Sequence, residues 1–341
     1  MRKLALLCAL VALAGAGCAK KTAERAPSIA VFITGIIADS PSYAHVAAGV
    51  TAAVSEYNAT RADGQKASLY VMEAGTNQAE WATKLTALAA TGEYDVIISS
   101  NPSLPGLGEQ VGRQFPDAKF IFLDAAAEGN PQMYTVSYNQ RDQAYISGYM
   151  AGLFSQTHKV GLIAAQEYPI MNNILYPYFA KGAADAAPGT TADFRVVGNW
   201  YDASKGAEIA RAMSDAGIDM ILPICGGASQ GVIATAREKG MHIVWFDENG
   251  FRNAPGVIVS CCMTKHELAA KETTLAYLAG ETPWGTMRSV GFRDGYVSYF
   301  DDASAYIETV PQDIRDKMAA LVAALRSGEL VLPQQLNGLN A

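Results

Sequence analysis

Two aromatic residues stand at turns where an apolar strand gives way to a helix, a common place for a ligand in α/β proteins. Tyr43 closes the turn after the apolar run 28–33, and Trp200 follows the apolar run 194–197. An aromatic ring that stacks on a flat ligand contributes about 1 kcal/mol beyond the area that it buries. Trp200 could also be a core residue, but two aromatics at matching turns favour a site that holds a flat ring between them.

Polar residues near such turns could contact the edge of the ring. Asp124 and Asp247 each end an apolar run, and a carboxylate accepts hydrogen bonds from ring N–H groups or sugar hydroxyls. Capping of a following helix is the competing interpretation of both aspartates. Asp39 shares the turn of Tyr43, and Gly226 with Gly227 forms a tight turn that could lend backbone donors to a ligand.

No catalytic arrangement accompanies these residues. The stretch 227–231 resembles a serine nucleophile elbow only loosely, because no histidine follows at a strand end. Neither GxGxxG nor GxxxxGK[ST] occurs, and the histidines and cysteines lack metal-site spacing. A net charge of −7 without a basic stripe argues against a nucleic-acid partner. The sequence predicts a binding protein without cofactor or metal, and an exported nucleoside hydrolase using the aspartate pair is the enzymatic alternative.

The elements that position these residues repeat along the chain. Short apolar runs alternate with helical patterns, which is typical of a doubly wound α/β protein. Three runs of the first half have counterparts in the same order in the second: 28–33 with 159–163, 92–98 with 217–222, and 119–124 with 242–247. Because ligands bind at the carboxyl ends of parallel strands, the repeat predicts two similar lobes, each with a parallel sheet, around a ligand cleft.

The expected division of the chain follows from its length and from breaks in its periodicity. A chain of 341 residues is long for one core, so two lobes are expected. The stretch 125–131 interrupts both periodicities and indicates the first crossing, with a return near 249–255. The expected segments are a first lobe of residues 28–126 and 250–282, a second lobe of residues 127–249 and 283–334, and a tail of residues 335–341.

The N-terminal residues have the pattern of an export signal. Two basic residues precede the apolar stretch 4–14, which is too short to span a membrane, and small residues then end at Cys18. This pattern resembles a bacterial lipobox, although Gly15 replaces the usual apolar residue. It predicts removal of residues 1–17, lipidation of Cys18 and a polar tether over 18–27. An ordinary secretory signal peptide is the alternative, and both interpretations export the protein.

Taken in order, the motifs resemble those of one family. The chain carries "DSPSY", "YDVIISSN", "FPDAKFIFLDA", "YNQRDQAYISGYMAGLF", the segment 198–240 and "IVWFDENG". This series is similar to the basic membrane protein family, which comprises lipoprotein substrate-binding proteins of ABC transporters and includes purine-nucleoside receptors. The resemblance covers nearly all of the mature chain. It implies a periplasmic-binding-protein type I fold, with two Rossmann-like lobes, three crossings and hinge closure on the ligand.

The resemblance also implies roles for individual residues. Tyr43 stands where nucleoside-binding members have a stacking phenylalanine, and Trp200 stands at the second stacking position. Asp124 and Asp247 match ligand-contacting aspartates of the family, and Asn101 in "YDVIISSN" is a further expected contact. The pair Gly226 and Gly227 matches the family's Gly-Gly turn.

Three departures from the family pattern shift the expected ligand. Ala44 replaces an asparagine, Met263 replaces a ligand-contacting lysine, and Thr34 replaces an acidic residue. A buried polar group left without a partner costs about 1–3 kcal/mol, so these changes should alter specificity. Ala44 and Met263 make room, and Trp200 widens the stacking surface. We therefore expect riboflavin, as in spirochaetal riboflavin-binding relatives, with a purine nucleoside as the alternative.

The expected function follows from these points. The protein is predicted to be a monomer that is lipid-anchored through Cys18 on the periplasmic face of the cytoplasmic membrane. It would capture riboflavin between its lobes and deliver this ligand to the permease and ATPase subunits of an ABC importer.

Overall fold

The computed structural model describes residues 25–333 and residue 336, which form two α/β lobes. Their strands are β1 Ser28–Ile33, β2 Ser68–Glu73, β3 Val96–Ser100, β4 Phe120–Leu123, β5 Met133–Tyr138, β6 Lys159–Ala164, β7 Thr191–Val196, β8 Met220–Ile224, β9 His242–Asp247, β10 Ile258–Thr264, β11 Met287–Val290 and β12 Val297–Tyr299. Their helices are α1 Pro41–Asn58, α2 Trp81–Ala90, α3 Leu104–Gln114, α4 Gln140–Phe154, α5 Tyr176–Ala186, α6 Ala203–Asp215, α7 Ser229–Lys239, α8 His266–Leu278, α9 Ser304–Thr309 and α10 Gln312–Ser327.

The two sheets have the same strand order. The first sheet runs β2-β1-β3-β4-β5-β11, and the second runs β7-β6-β8-β9-β10-β12. The strands pair in parallel, apart from β12, which is antiparallel to β10. The three predicted repeat pairs, β1 with β6, β3 with β8 and β4 with β9, occupy equivalent places. The predicted fold class, two lobes built on parallel-dominated sheets, is therefore confirmed.

Local sequence explains why the first strand and helix form where they do. Residues 29–33 are apolar and buried, as expected for a central strand with helices on both faces. Helix α1 then begins with Pro41 in its first turn, which suits the fixed φ of proline, and the Ser40 side chain accepts a hydrogen bond from the Tyr43 backbone N–H at 3.4 Å. Tyr43 is thereby placed in the first helical turn, at the carboxyl end of β1.

The strand pairing corrects the expected lobe boundaries at three places. β5 lies in the first sheet beside β4, although residues from 127 onward were expected in the second lobe. β10 lies in the second sheet beside β9, and β11 lies in the first sheet beside β5, which reverses both expectations. The break at 125–131 is a loop between two strands of one sheet. A break in periodicity marks a loop, but it does not tell which sheet the next strand joins.

The chain crosses between the lobes three times. The crossings lie between β5 and α4, between β10 and α8, and between β11 and β12. The second and third crossings are joined by a hydrogen bond of 2.7 Å from the Lys265 backbone N–H to the Tyr296 carbonyl. The second and third crossings therefore lie side by side.

Several sequence predictions fall on residues outside the described part of the chain. These are the signal over 1–17, Cys18, most of the tether and, apart from residue 336, the tail over 335–341. Within residues 25–333 and 336, no helix is both long and apolar enough to cross a membrane. The cysteines of this part are Cys225, Cys261 and Cys262, and all three are buried.

Candidate ligand site

A cavity of about 720 Å³ lies between the lobes. Its walls come from segments that follow β1, β3 and β4 of the first lobe and β7, β8 and β9 of the second. These are the carboxyl ends of the strands, where open α/β sheets bind ligands. Of the residues predicted from the sequence, the cavity brings together seven: Asp39, Tyr43, Asn101, Asp124, Trp200, Gly226 and Gly227.

Tyr43 enters the cavity from the first lobe, and its hydroxyl is held in place. The hydroxyl lies 2.7 Å from Thr34 Oγ1 and accepts a hydrogen bond of 3.2 Å from Asn101 Nδ2. Asn101 is itself fixed, because its Oδ1 accepts hydrogen bonds from the backbone N–H and hydroxyl of Ser103. Burial raises the pKa of Tyr43, so the hydroxyl stays protonated. The ring is therefore presented to the cavity in one orientation.

Trp200 enters the cavity from the second lobe. It is half-buried, and it packs against the hydrophobic clusters of both lobes. Its Nε1 is buried and has no hydrogen-bond partner among the described residues. The indole lies against Gly226, where a Cβ atom would be 3.2 Å from Cε3 and where φ is +56°. A buried donor without a partner is uncommon in folded proteins, and here a ligand in the cavity could accept its hydrogen bond.

Asp124 stands directly after β4 and lines the cavity. Its φ of +48° is a left-handed conformation that few residues other than glycine adopt, and such residues cluster at functional sites. Gln140 Nε2 donates to its Oδ1 at 3.4 Å. The segment after Asp124 is a loop that leads to β5, so capping of a following helix does not explain this residue.

Four residues that the sequence analysis singled out lie at the rim of the cavity or outside its described lining. Asp39 is exposed at the rim of the cavity. Asp247 ends β9, in register with Met263 of β10, and its side chain lies outside the described part of the structure. Met263 is half-buried and is not among the described residues that line the cavity. Ala44 is not among them either, so the cavity does not owe its width directly to these two replacements.

Sequence reasoning missed several residues that line the cavity. Tyr201 follows Trp200 directly, and Trp245 and Glu248 lie at or just after the end of β9. The signal was present, because each stands near the carboxyl end of a strand and within two residues of a residue that was selected. His266, the first residue of α8, was passed over because it falls in a helical pattern.

His266 is an unusual residue for its position. It is 3 % exposed, it lines the cavity, and neither ring nitrogen has a hydrogen-bond partner among the described residues. Its ring stands edge-on to Tyr138, with centroids 5.2 Å apart. Burial, followed by the nearby His45, lowers the pKa of His266 to about 3. The imidazole is therefore neutral at physiological pH, with one donor and one acceptor nitrogen.

The charged residues of the cavity have one sign. Asp39, Asp124 and Glu248 line it, and no lysine or arginine is among its described lining residues. Glu248 Oε1 accepts hydrogen bonds from Trp245 Nε1 at 3.2 Å and Asn253 Nδ2 at 3.4 Å. Burial raises the pKa of Glu248. Such a cavity suits a ligand rich in hydrogen-bond donors and free of negative charge. Within the described residues no cluster of three or more His, Cys, Asp or Glu side chains is arranged to hold a metal ion.

Comparison with solved structures supports the same fold class. A solute-binding protein of an ABC transporter system from Aeropyrum pernix K1 superposes with a TM-score of 0.69 at 16 % identity, over 92 % of this chain and 95 % of that chain. A transcriptional activator of the comK gene from Bacillus halodurans gives a TM-score of 0.68 at 18 % identity, over 90 % and 100 % of the two chains. At these identities the likeness shows the fold alone. Fold and cleft together define a two-lobed periplasmic-binding-protein type I structure.

Sequence comparison then gives the family. Residues 26–325 match the family of ABC transporter substrate-binding proteins described as PnrA-like, and the chain belongs to this family. The CD4+ T-cell-stimulating antigen of Listeria monocytogenes is 23 % identical over 76 % of this chain and 75 % of its own. Basic membrane protein A2 of Borrelia garinii is 22 % identical over 90 % and 88 %. The ABC transporter nucleoside-binding protein BmpA of Lactococcus lactis is 24 % identical over 42 % and 41 %.

Proposed function

We propose that this substrate-binding protein captures riboflavin in the cavity between its lobes and delivers it to the permease of an ABC importer. The observation that carries the proposal is that Tyr43 and Trp200 line one cavity from opposite lobes. Two aromatic rings so placed can stack on both faces of a flat ring system, and each contact contributes on the order of 1 kcal/mol beyond area burial.

Two features of the cavity favour a wide ring system. The cavity volume of about 720 Å³ lies in the upper half of the range of about 300–1,000 Å³ that is usual for small-molecule sites. The indole of Trp200 gives a stacking surface wider than a single six-membered ring. Both features suit the three fused rings of a flavin, which also carries a neutral chain of hydroxyl groups.

A purine nucleoside is the second candidate. The relative from Lactococcus lactis is named a nucleoside-binding protein, although its match covers 42 % of this chain. A nucleoside also combines a flat ring with neutral hydroxyl groups, and its hydroxyls could donate hydrogen bonds to Asp124 or Glu248 in the same cavity.

The state of the mature protein is part of the same proposal. We infer that residues 1–17 direct export and that a lipid on Cys18 anchors the body through a short tether. The receptor then works as a monomer at the outer face of the cytoplasmic membrane, without catalysis and without a nucleic-acid partner. Its protein partners are the permease and ATPase subunits of the importer.

Ligand titration of the protein lacking residues 1–17 tests the proposal. The protein is unfolded and refolded to remove any ligand carried through purification. It is then titrated with riboflavin, inosine and guanosine by calorimetry, and with riboflavin by fluorescence. Submicromolar riboflavin binding with quenching of flavin fluorescence is expected. Tight binding of a nucleoside with no riboflavin binding selects the second candidate, and binding of none of the three compounds overturns both.

A further inference from the structure

We propose that Tyr201 is a positioning residue of the ligand site, which fixes the stacking ring of Tyr43 when the two lobes meet. This inference rests on the proposed function only in taking Tyr43 as a ligand contact. Tyr201 lies in the loop between β7 and α6 of the second lobe, next to Trp200.

A hydrogen bond across the cleft is the first support. The Tyr201 hydroxyl donates to the backbone carbonyl of Thr34 in the first lobe, at 2.9 Å. The side chain of the same threonine meets the Tyr43 hydroxyl at 2.7 Å. Thr34 is completely buried. The two tyrosines, one from each lobe, are therefore attached to one buried residue.

The close fit at Gly35 is the second support. A Cβ atom on Gly35 would lie 2.2 Å from the Tyr201 hydroxyl oxygen and 2.9 Å from Tyr43 Cε2. The absence of a side chain at Gly35 thus makes room for the tip of one tyrosine and the ring edge of the other. On the second lobe, a Cβ atom on Gly227 would lie 3.0 Å from Tyr201 Cδ1. Tyr201 is therefore enclosed between a glycine of each lobe.

The environment of the Tyr201 side chain is the third support. Burial, followed by the neighbouring Tyr43, raises the pKa of Tyr201 well above its usual value. Its hydroxyl consequently remains a donor over the whole physiological pH range. Tyr201 also packs against the hydrophobic cluster of the first lobe that contains Phe32 and Phe122.

The contacts of Tyr43 then fall into two groups. Those with Thr34 and Asn101 lie within the first lobe, so they persist when the lobes separate. The contact with Tyr201 exists only when the lobes meet, because Tyr201 belongs to the second lobe. Closure therefore adds a neighbour that restricts Tyr43, and the stacking surface becomes rigid when the ligand is enclosed.

A second interlobe hydrogen bond provides a matched control. Gln166 Nε2 donates to Gln78 Oε1 at 3.2 Å, from the loop after β6 to the turn before α2. This bond also joins the lobes, but among the described residues neither glutamine shares the hydrogen bonds that Tyr43 makes with Thr34 and Asn101. Gln166→Ala removes only a contact between the lobes. Tyr201→Phe removes the hydrogen bond to Thr34 and keeps the aromatic ring.

Two readouts separate positioning from closure. The first is the rate of ligand release, with the quenching of bound riboflavin, or the near-UV dichroism of a bound nucleoside, as the stacking signal. We expect Tyr201→Phe to speed release about five- to tenfold, the effect of losing one hydrogen bond, and to weaken the stacking signal. Gln166→Ala should speed release without changing that signal. Equal effects of the two variants on both quantities would overturn the proposal.

The second readout needs no ligand. 3-Fluorotyrosine placed at position 43 gives a ¹⁹F signal that reports the surroundings of the ring. The signal should shift in Tyr201→Phe and in Gly35→Ala, and it should stay unchanged in Gln166→Ala. A signal that is unchanged in Tyr201→Phe both without ligand and with saturating ligand contradicts the positioning role. If wild-type protein binds none of the tested ligands while the ¹⁹F shifts occur as expected, the proposed function fails and the positioning of Tyr43 stands.

Discussion

The hydroxyl of Tyr201 and the backbone carbonyl of Thr34 lie 167 residues apart in the sequence and 2.9 Å apart across the cleft. Because the two residues belong to different lobes, this bond must break when the cleft opens. A ligand that is enclosed between the lobes can enter or leave only while the cleft is open, and therefore only while this bond is broken. Tyr43, which lines the cavity, also meets Thr34, so this bond joins the wall of the cavity to the contact between the lobes.

The stacking residues give the first prediction. Tyr43→Ala and Trp200→Ala should each lower ligand affinity by about tenfold or more, because a base–aromatic stacking contact contributes roughly 1–3 kcal/mol. Calorimetric titration measures the change. Tyr70→Ala is a suitable control, since Tyr70 is exposed on the edge strand β2 and does not line the cavity. Unchanged affinity in both cavity variants would show that the two rings do not hold the ligand.

The charge of the cavity gives the second prediction. Riboflavin should bind at least tenfold more tightly than its 5′-phosphate, and a nucleoside more tightly than its monophosphate. Desolvating a phosphate beside carboxylates, with no lysine or arginine among the described lining residues, is unfavourable. Glu248→Gln should reduce this preference, whereas Glu308→Gln, an exposed change in α9, should not. Equal affinity for the free and phosphorylated forms would contradict the electrostatic argument.

His266 gives the third prediction, which concerns stability and pH. Its pKa is about 3 in the folded protein and 6.5 in the unfolded chain, so the unfolded state binds more protons between these values. The contribution of His266 to stability is fully present above pH 6.5 and is lost as the pH falls. The free energy of unfolding should fall by about 2 kcal/mol from this residue between pH 7 and pH 5.

Denaturant unfolding at the two pH values measures this effect by comparison with a variant. His266→Gln should lose less stability than wild type on the same change of pH, whereas His158→Gln, at an exposed residue, should keep the wild-type loss. If wild type and His266→Gln lose equal amounts, protonation of His266 does not oppose folding in this range. The contribution of His266 to ligand affinity should not vary between pH 5 and pH 8, because its ring stays neutral in the folded protein over this range.

Cys18 gives the fourth prediction. Cys18→Ser should abolish incorporation of labelled palmitate and move the protein from the detergent phase to the aqueous phase on phase separation. The physical reason is that two acyl chains contribute about 0.8 kcal/mol for each buried methylene group. Cys8→Ser, a change within the predicted signal, is the control and should leave both results unchanged. Labelled Cys18→Ser protein in the detergent phase would contradict anchoring through this residue.

Much of the fold was predictable because the spacing of apolar residues and the order of the apolar runs can be read directly from the sequence. The apolar runs that became β1, β6, β4 and β9 lie where they were expected, and the parallel order of the sheets followed from the repeat. The assignment of β5, β10 and β11 to lobes was not predictable in this way. Sheet membership depends on contacts between distant segments, such as β11 with β5, that no local pattern encodes.

The candidate site was predictable to the extent that it lies at strand ends. Tyr43, Asn101, Asp124 and Trp200 line the cavity as this rule suggests. Tyr201 stands beside Trp200 and could have been found by the same rule, but its bond to Thr34 depends on a neighbour from the other lobe. His266 was passed over because it falls in a helical pattern. Met263 shows the opposite limit, since its place on β10 beside Asp247 does not bring it among the described residues that line the cavity.

The three crossings have a consequence for how the chain can fold as it is synthesised. During synthesis, the first sheet lacks β11 until residue 290 has left the ribosome, and the second sheet lacks β12 until residue 299 has left it. Neither half of the molecule can therefore reach its final form before nearly the whole chain is free. A premature stop near residue 280 would leave two unfinished sheet edges, so the receptor should depend on protection from aggregation and proteolysis until its last strands arrive.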